Sequence, residues 1–246
     1  MIPWLETNNE FPNTDLALLE PNGLLAAGGE LSTERLLDAY QQGIFPWYNE
    51  DDPILWWSPS PRCVLLPEAL HISKSMNRLL GKRRYYCTAN QAFDKVMYNC
   101  AHLRQEEGTW ILPEMVDAYT LLHKQGYAKS VEVWRENILV GGIYGIQLGE
   151  MFFGESMFSL ESNTSKIAFI TLASSLKYAG FTALDCQVGS PHLYTLGAKD
   201  ISRDAFKHHL KACQKVSSAS PWDLINQIND PKDIVSFKLT TSTTDT

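Results

Sequence analysis

A carboxylic acid and an amide stand two residues apart at the end of an apolar run, at Asp185 and Gln187. The surrounding pattern predicts a strand over residues 181–188, and positions two apart on a strand project to the same face. An ionised carboxylate beside an amide can orient a nucleophile and collect its proton. The alternative is a strand-end pair that satisfies loop backbone groups.

A second acid, Glu155, lies in the apolar segment FFGESMF that begins at Phe152. Burial of a carboxylate among such side chains is costly unless the charge is paired. We interpret Glu155 as a candidate receptor for a cationic group of a substrate. The alternative is an exposed glutamate at the end of a strand.

Tryptophan is unusually dense, with Trp47, Trp56, Trp57 and Trp110 as the conspicuous members. Aromatic rings can stack on nucleotide bases, at about 1–3 kcal/mol per base. The alternative, favoured by the pattern alone, is core packing around the proline-rich residues 43–62.

Five basic residues could follow a phosphate backbone: Lys74, Arg78, Lys82, Arg83 and Arg84. Residues 62–84 carry six basic residues against one acid, whereas residues 1–61 carry ten acids against one base. The formal net charge of −7 therefore conceals two segments of opposite sign. Such a division suits a molecule with two oppositely charged partners, and the bland alternative is a solvated helix face.

Helical and alternating patterns define the elements that must position these residues. Amphipathic periodicity predicts helices over residues 31–43, 73–80, 90–103, 113–125, 164–179 and 203–215, with Ser32 as a cap of the first. Alternation over residues 130–154 predicts a meander with turns at 136–137 and 148–149. The order predicts an α+β fold with a mostly antiparallel sheet and a boundary between two lobes near residue 62.

Length and composition exclude several classes of protein. A chain of 246 residues can bury a real core, and no apolar run approaches the ~20 residues of a membrane span. No signal peptide is readable at the N-terminus. Five widely spaced cysteines without a Cys-x-x-Cys pair, and histidines without ligand spacing, argue against disulfide and metal frameworks. We expect a cytoplasmic protein without a cofactor, a metal or a membrane partner.

Seven short motifs occur together in this chain. They are EPNGLLAAGG from Glu20, GIFPW from Gly43, ILWWSP from Ile54, EEGTW from Glu106, SVEVW from Ser130, GESMFS from Gly154 and DCQV from Asp185. In combination and order they resemble the leucyl/phenylalanyl-tRNA–protein transferase family, over about residues 18–210.

The resemblance implies an aminoacyltransferase that moves Leu or Phe, and less readily Met, from aminoacyl-tRNA to the N-terminal Arg or Lys of a protein. The product would be marked for degradation through the bacterial N-end rule. The implied architecture is a small N-terminal lobe and a GNAT-like, acetyltransferase-like catalytic lobe, which we place at residues 1–62 and 63–216. Residues 217–246 form a C-terminal extension outside the resemblance, and the composition of the last ten or so residues predicts disorder. We expect a monomer.

The resemblance also implies roles for individual residues. Asp185 and Gln187 would activate the attacking amine or only orient it, with the proton then passing through the substrate's own ribose hydroxyl. Glu155 would attract the basic N-terminal residue of the acceptor. The terminal adenosine would be held by Tyr40, Trp47 and Trp110. The candidates for an apolar aminoacyl pocket are Phe152, Met157, Phe169, Leu172, Leu176 and Leu184, and the five basic residues named above would contact the tRNA backbone.

Two other functions compete with this prediction. An acyl-CoA-dependent N-acetyltransferase of the same fold class would need an Arg/Gln-x-x-Gly-x-Gly/Ala loop before a helix. The segment before the helix at residue 164 is LESN and contains no such loop. A non-catalytic tRNA-binding module is the second alternative, and it predicts that Asp185 matters only for stability.

Overall fold

Two β-sheets organise the chain in a computed structural model that describes residues 2–7, 10–103 and 111–237. The smaller sheet is built from β1 (Trp4–Leu5), β2 (Leu24–Gly28), β3 (Phe45–Pro46) and β4 (Leu55–Trp57). Its spatial order is β1-β2-β4-β3. Helix α1 (Thr33–Gln41) connects β2 to β3.

The larger sheet has seven strands. They are β5 (Arg62–Leu65), β6 (Tyr86–Ala89), β7 (Ala128–Arg135), β8 (Ile138–Leu148), β9 (Met151–Ser159), β10 (Ala183–Asp185) and β11 (Lys199–Ile201). The order is β11-β5-β10-β9-β8-β7-β6, and every neighbouring pair is antiparallel except β9 with β10. The predicted α+β class with an antiparallel-rich sheet is confirmed.

Helices cover both faces of the larger sheet. They are α2 (Lys74–Leu80), α3 (Phe93–His102), α4 (Pro113–Lys124), α5 (Thr164–Tyr178), α6 (Pro191–Thr195), α7 (Arg203–Leu210), α8 (Pro221–Ile228) and α9 (Pro231–Ser236). A 3₁₀ turn, Lys211–Gln214, extends α7. Helices α3 and α4 pack on one face and α5, with α8 and α9, on the other, so the core has two halves separated by the sheet.

Local sequence signals account for most of these elements. The hydroxyl of Ser32 accepts a hydrogen bond from the backbone N–H of Arg35, which confirms the predicted cap of α1. The meander turns at Glu136 and Asn137 as predicted, and its second turn lies one residue later than predicted. Each predicted helix is present within a few residues of its expected bounds.

The predicted strand over residues 181–188 is wrong at its second half. Strand β10 ends at Asp185, and Gln187 adopts the left-handed backbone region with φ 54°. Val188 is 64% exposed, so the apolar alternation that suggested a longer strand does not reflect burial at that position. Asp185 and Gln187 therefore do not share one face of a strand.

The C-terminal helices protect a sheet edge. The side chain of Asn226 in α8 accepts a hydrogen bond from the N–H of Ala89 at 2.8 Å and donates one to its carbonyl at 3.1 Å. This pairing occupies the outer edge of β6, which would otherwise be open to another strand. The disorder predicted for the last ten residues falls, from residue 238 onward, outside the described residues. Within the described ranges, no helix is long and apolar enough to cross a membrane.

Candidate active site

A cavity of about 120 Å³ opens where the parallel pair β9 and β10 comes apart. The two strands stay paired up to Phe153 opposite Asp185. Beyond that point the chain from Gly154 lies on one side of the cavity, and Cys186 and Gln187 lie on the other. The separation of two strands that are neighbours in one sheet therefore creates the space.

A bulge in β9 places Glu155 at this opening. Tyr144 of β8 pairs with Ser156 and Gly145 pairs with Gly154, so Glu155 has no partner in the ladder. A bulge of this kind re-aims a side chain relative to the alternation of the strand. Gly145 accommodates the arrangement, because a Cβ atom there would lie 2.0 Å from the carbonyl oxygen of Phe153.

Three side chains converge on the Glu155 carboxylate. Tyr40 donates its hydroxyl proton to Oε1 at 2.7 Å, and Tyr119 donates to Oε2 at 3.2 Å. The two tyrosine hydroxyl oxygens also lie within hydrogen-bond distance of each other, so two hydroxyl protons serve three contacts. The amide nitrogen of Gln187 donates to Oε1 at 3.4 Å. Helices α1 and α4 and the turn after β10 thus fix one carboxylate together.

The Glu155 carboxylate forms no salt bridge in the part of the chain that the structure describes, although the charge of Arg62 acts on it from beyond contact distance. Burial raises its pKa to about 7, and the two tyrosine hydroxyls oppose that increase. Burial and the adjacent carboxylate in turn raise the pKa of Tyr40 well above 10, so its hydroxyl remains a donor. A group that changes its charge near neutral pH therefore sits at the mouth of the cavity.

Asp185 is held by a different partner. Arg62, at the start of β5, donates from Nε to Oδ1 at 2.8 Å and from Nη2 to Oδ2 at 2.6 Å, and both side chains are fully buried. The backbone N–H of Gln187 donates to the same Oδ1 at 3.0 Å. The Asp185 side chain thus contacts the backbone N–H of Gln187, whereas the side-chain amide of Gln187 donates a hydrogen bond to Glu155.

The Arg62 guanidinium also joins the two sheets. It donates from Nη1 to the carbonyl of Gly43 at 3.0 Å. The rings of Phe45 and Phe206 lie 4.9 Å and 4.5 Å from its central carbon, on β3 and α7. Cation–π contacts of this kind stabilise a desolvated guanidinium.

The cavity wall is mostly apolar. It is lined by Ile143, Met157, Phe169, Leu184, Cys186 and Leu193 in addition to the polar residues named above. Three of the predicted pocket residues therefore border it: Met157, Phe169 and Leu184. The other three, Phe152, Leu172 and Leu176, are fully buried in the core and do not border it.

Comparison with known proteins decides the family. The sequence profile of the leucyl/phenylalanyl-tRNA protein transferase matches residues 64–211, and the profile of its N-terminal domain matches residues 29–60. A leucyl/phenylalanyl-tRNA–protein transferase of Pseudomonas fluorescens (strain Pf0-1) is 52% identical over 85% of this chain and 94% of the relative. One of Cellvibrio japonicus is 55% identical over 85% and 90%.

This chain belongs to the leucyl/phenylalanyl-tRNA–protein transferase family. The alternative acyl-CoA-dependent acetyltransferase is not favoured by that membership. The solved structure of L-PGS from Bacillus licheniformis overlaps the transferase with a TM-score of 0.38 at 11% identity, over 86% of this chain and 64% of that one.

The predicted adenosine-binding residues lie in three different situations in the transferase. Trp47 is 48% exposed, and its carbonyl accepts a hydrogen bond from the indole of Trp57 at 2.6 Å. Tyr40 is fully buried and presents its hydroxyl to Glu155. Trp110 lies outside the described residues. Trp56 is a core residue, fully buried with its indole N–H donated to the carbonyl of Gly28.

The predicted tRNA-contacting residues of the transferase are all exposed, on α2 and the turn after it. Arg83 differs from the others because it forms ion pairs with Asp230 at 2.5 Å and Asp233 at 2.7 Å. Its charge is therefore compensated within the chain. Arg62, which contributes to the basic count of residues 62–84, lies in the core and offers no charge to a partner.

Two residues of the transferase site were missed in the sequence. Arg62 carries a usable signal, since a charge that opens an apolar strand segment requires a buried partner. Tyr119 carries none, because it continues the apolar face of α4 with Met115 and Leu122.

In the described residues, no group of three or more His, Cys, Asp or Glu side chains could hold a metal ion.

Proposed function

We propose that this chain transfers Leu or Phe, and less readily Met, from aminoacyl-tRNA to the N-terminal Arg or Lys of an acceptor protein. The supporting observation is a half-buried carboxylate without a salt bridge in the described residues, Glu155, at the mouth of an apolar cavity. A cationic acceptor and an apolar donor side chain complement these two features. The family membership supplies the reaction that joins them.

The Glu155 carboxylate is the proposed acceptor site. An α-ammonium group or a basic side chain would supply the missing positive charge, and a charge-assisted hydrogen bond is about twice as strong as a neutral one. Tyr40 and Tyr119 hold both oxygens of the carboxylate in place. The carboxylate therefore loses little rotational freedom when the acceptor binds.

The cavity is the proposed site of the aminoacyl side chain. Its volume of about 120 Å³ is comparable with an engineered apolar cavity of about 150 Å³ that binds benzene. One unbranched or aromatic side chain therefore suits it. Met157, Phe169 and Leu184 supply apolar contacts, whereas Phe152, Leu172 and Leu176 would act by supporting the wall from behind.

The reaction is an ester aminolysis. The acceptor α-amine attacks the ester carbonyl carbon, the C–N amide bond forms, the bond to the ribose oxygen breaks, and the amine proton ends on that oxygen. Asp185 is fully engaged by Arg62 and contacts only the main chain of Gln187, which favours an orienting role over a side-chain relay. Gln187 would position the amine beside Glu155.

The architecture fits two proposed lobes. The small sheet ends with Trp57 and the large sheet begins with Arg62, which supports a division of the chain near residue 62. We propose that the second lobe, residues 63–216, is GNAT-like. Lys74, Arg78, Lys82 and Arg84 would contact the tRNA backbone, and Trp47 with Trp110 would hold the terminal adenosine.

The test is transfer of labelled Leu, Phe and Met from charged tRNA to a peptide that begins with Arg. The matched controls are the same peptide with its α-amine acetylated and a peptide that begins with Glu. We expect transfer only to the free Arg peptide. Absence of transfer by a folded preparation, or equal transfer to the Glu peptide, contradicts the proposal.

A further inference from the structure

Two cysteines lie next to each other where the pairing of β5 with β10 ends, beside the candidate active site. The register pairs Leu65 with Leu184 and Val64 with Asp185, the last residue of β10, and Cys63 and Cys186 are the next residues of the two chains. The N–H of Cys186 donates to the carbonyl of Cys63 at 2.9 Å, and the N–H of Cys63 donates to the carbonyl of Gln187 at 3.0 Å. Opposed residues of antiparallel strands have Cα atoms about 4.5–5.5 Å apart, within the range of about 4.4–6.8 Å that a disulfide spans.

The surroundings of Cys186 keep its thiol protonated. The neighbouring Cys63 thiol, burial and the nearby Asp185 carboxylate raise the pKa of Cys186 well above its ordinary value. Cys186 is therefore a thiol at neutral pH and reacts slowly, since the thiolate is the nucleophile. Slow reaction protects the pair from brief exposure to an oxidant and leaves it sensitive to sustained exposure.

The cavity gives one of these thiols access to small molecules. Cys186 borders the cavity, whereas Cys63 is fully buried behind it. We propose that sustained exposure to a hydroperoxide converts Cys63 and Cys186 to a disulfide, and that this bond lowers aminoacyl transfer until it is reduced. Formation of the bond is independent of the proposed function, and its effect on transfer rests on that function.

The chemistry balances with hydrogen peroxide as the oxidant. The Cys186 sulfur attacks one peroxide oxygen, the O–O bond breaks, and the departing oxygen takes up the thiol proton as water, which leaves a sulfenic acid. The Cys63 sulfur then attacks the Cys186 sulfur, the S–OH bond breaks, and a second water leaves with the Cys63 proton. Two thiols and one peroxide thus give one disulfide and two waters.

The position of the pair explains why transfer would fall. Cys63 follows Arg62, and Cys186 lies between Asp185 and Gln187. Bonded sulfurs lie about 2.05 Å apart, closer than hydrogen-bonded thiols, so the bond draws the two chains together at this point. A displacement of about 1 Å in a positioning group can cost about 100-fold in rate.

The experiment compares three proteins: the wild-type chain, Cys63→Ala and, as a control that removes a cysteine outside the pair, Cys213→Ala. Each is treated with hydrogen peroxide under native conditions, and the thiols are then titrated in denaturant and the peptides mapped by mass. We expect two fewer titratable thiols and a linked peptide containing Cys63 and Cys186 in the wild type and the control, and no linked peptide in Cys63→Ala. Transfer should fall at least tenfold in the wild type and recover with dithiothreitol.

Separate results would contradict the formation of the disulfide, its effect on transfer and the proposed function. Five titratable thiols after oxidation, or a linked peptide that joins other cysteines, overturns the disulfide. A linked peptide with unchanged transfer overturns the regulation. Absence of transfer before oxidation contradicts the proposed function instead, and the thiol titration and mass measurement still decide whether the bond forms.

Discussion

Glu155 carries the most specific expectation at the scale of single residues. Glu155→Gln keeps the shape and removes the charge, so we expect KM for an acceptor peptide with N-terminal Arg to rise about tenfold, since a hydrogen bond to a charged group contributes about 1.5–3 kcal/mol. Steady-state transfer measures it. Glu136→Gln, in the exposed β7–β8 turn, is the control, and an equal KM in both variants would contradict the role.

The same carboxylate predicts a pH dependence. Burial raises the pKa of Glu155 to about 7, so the group loses its charge as the pH falls through 7. We expect the acceptor KM of the wild type to rise between pH 8 and pH 6. The profile of Glu155→Gln should retain only the titration of the acceptor amine, so the difference between the two profiles reports the titration of Glu155.

Glu155→Gln should raise the stability of the protein at pH 8 although it weakens acceptor binding. Since the folded-state pKa of Glu155 lies above its unfolded value, the wild type loses stability as the pH rises from about 4.5 to about 7. Glu155→Gln removes that loss. Its Tm should exceed that of the wild type at pH 8, and the difference should shrink toward pH 5. A Tm difference independent of pH would contradict the assignment.

Arg62 predicts a large structural effect of a single side chain. Arg62→Met leaves the Asp185 carboxylate buried without a cation, and breaking a buried pair costs about 3–5 kcal/mol. Urea unfolding measures this free energy. Arg83→Met breaks an exposed ion pair and should change stability little. A similarly small effect at Arg62 would show that the pair is not what holds the end of β10.

At the scale of elements, the β9 bulge can be tested through the glycine opposite it. Gly145→Ala places a methyl group against the Phe153 carbonyl and the Phe152 ring, so the bulge must shift at a cost of about 1–3 kcal/mol. We expect both the free energy of unfolding and kcat/KM to fall. Gly81→Ala places its methyl group 3.3 Å from the Asn77 carbonyl and away from Glu155, so it should leave kcat/KM unchanged, and normal transfer by Gly145→Ala would contradict the bulge's role.

Elements with local signals were predictable from the sequence, and the site was predictable only in part. Helix α1 has its serine cap, and β7 and β8 have their turn, so both appear in the pattern. The turn at Gln187 requires a left-handed backbone. The sequence pattern gives no sign of this turn, because the apolar Val188 that follows continues the alternation of a strand. The neighbourhood of Glu155, Tyr119 and Arg62 depends on contacts between distant segments, which no local pattern encodes.

The whole molecule predicts how binding of tRNA responds to salt. Neutralising Lys74, Arg78, Lys82 or Arg84 should weaken binding similarly for different tRNAs and reduce the slope of log K against log salt by about one per residue. Arg83→Met should change the slope least, because Asp230 and Asp233 already compensate its charge. Binding titrations at several NaCl concentrations measure this slope. Unchanged slopes in all variants would show that these residues face solvent and do not contact the tRNA backbone.

The Arg62 contacts have a consequence for the order of events during synthesis. Arg62 leaves the ribosome 123 residues before Asp185. Phe206, one of the two phenylalanine rings beside the guanidinium, is synthesised later still. In a nascent chain that ends before these residues, the Arg62 guanidinium has neither its carboxylate partner nor the Phe206 ring. The ionic contact between the two sheets therefore forms only after Asp185 has been synthesised, and a chain that terminates earlier lacks it.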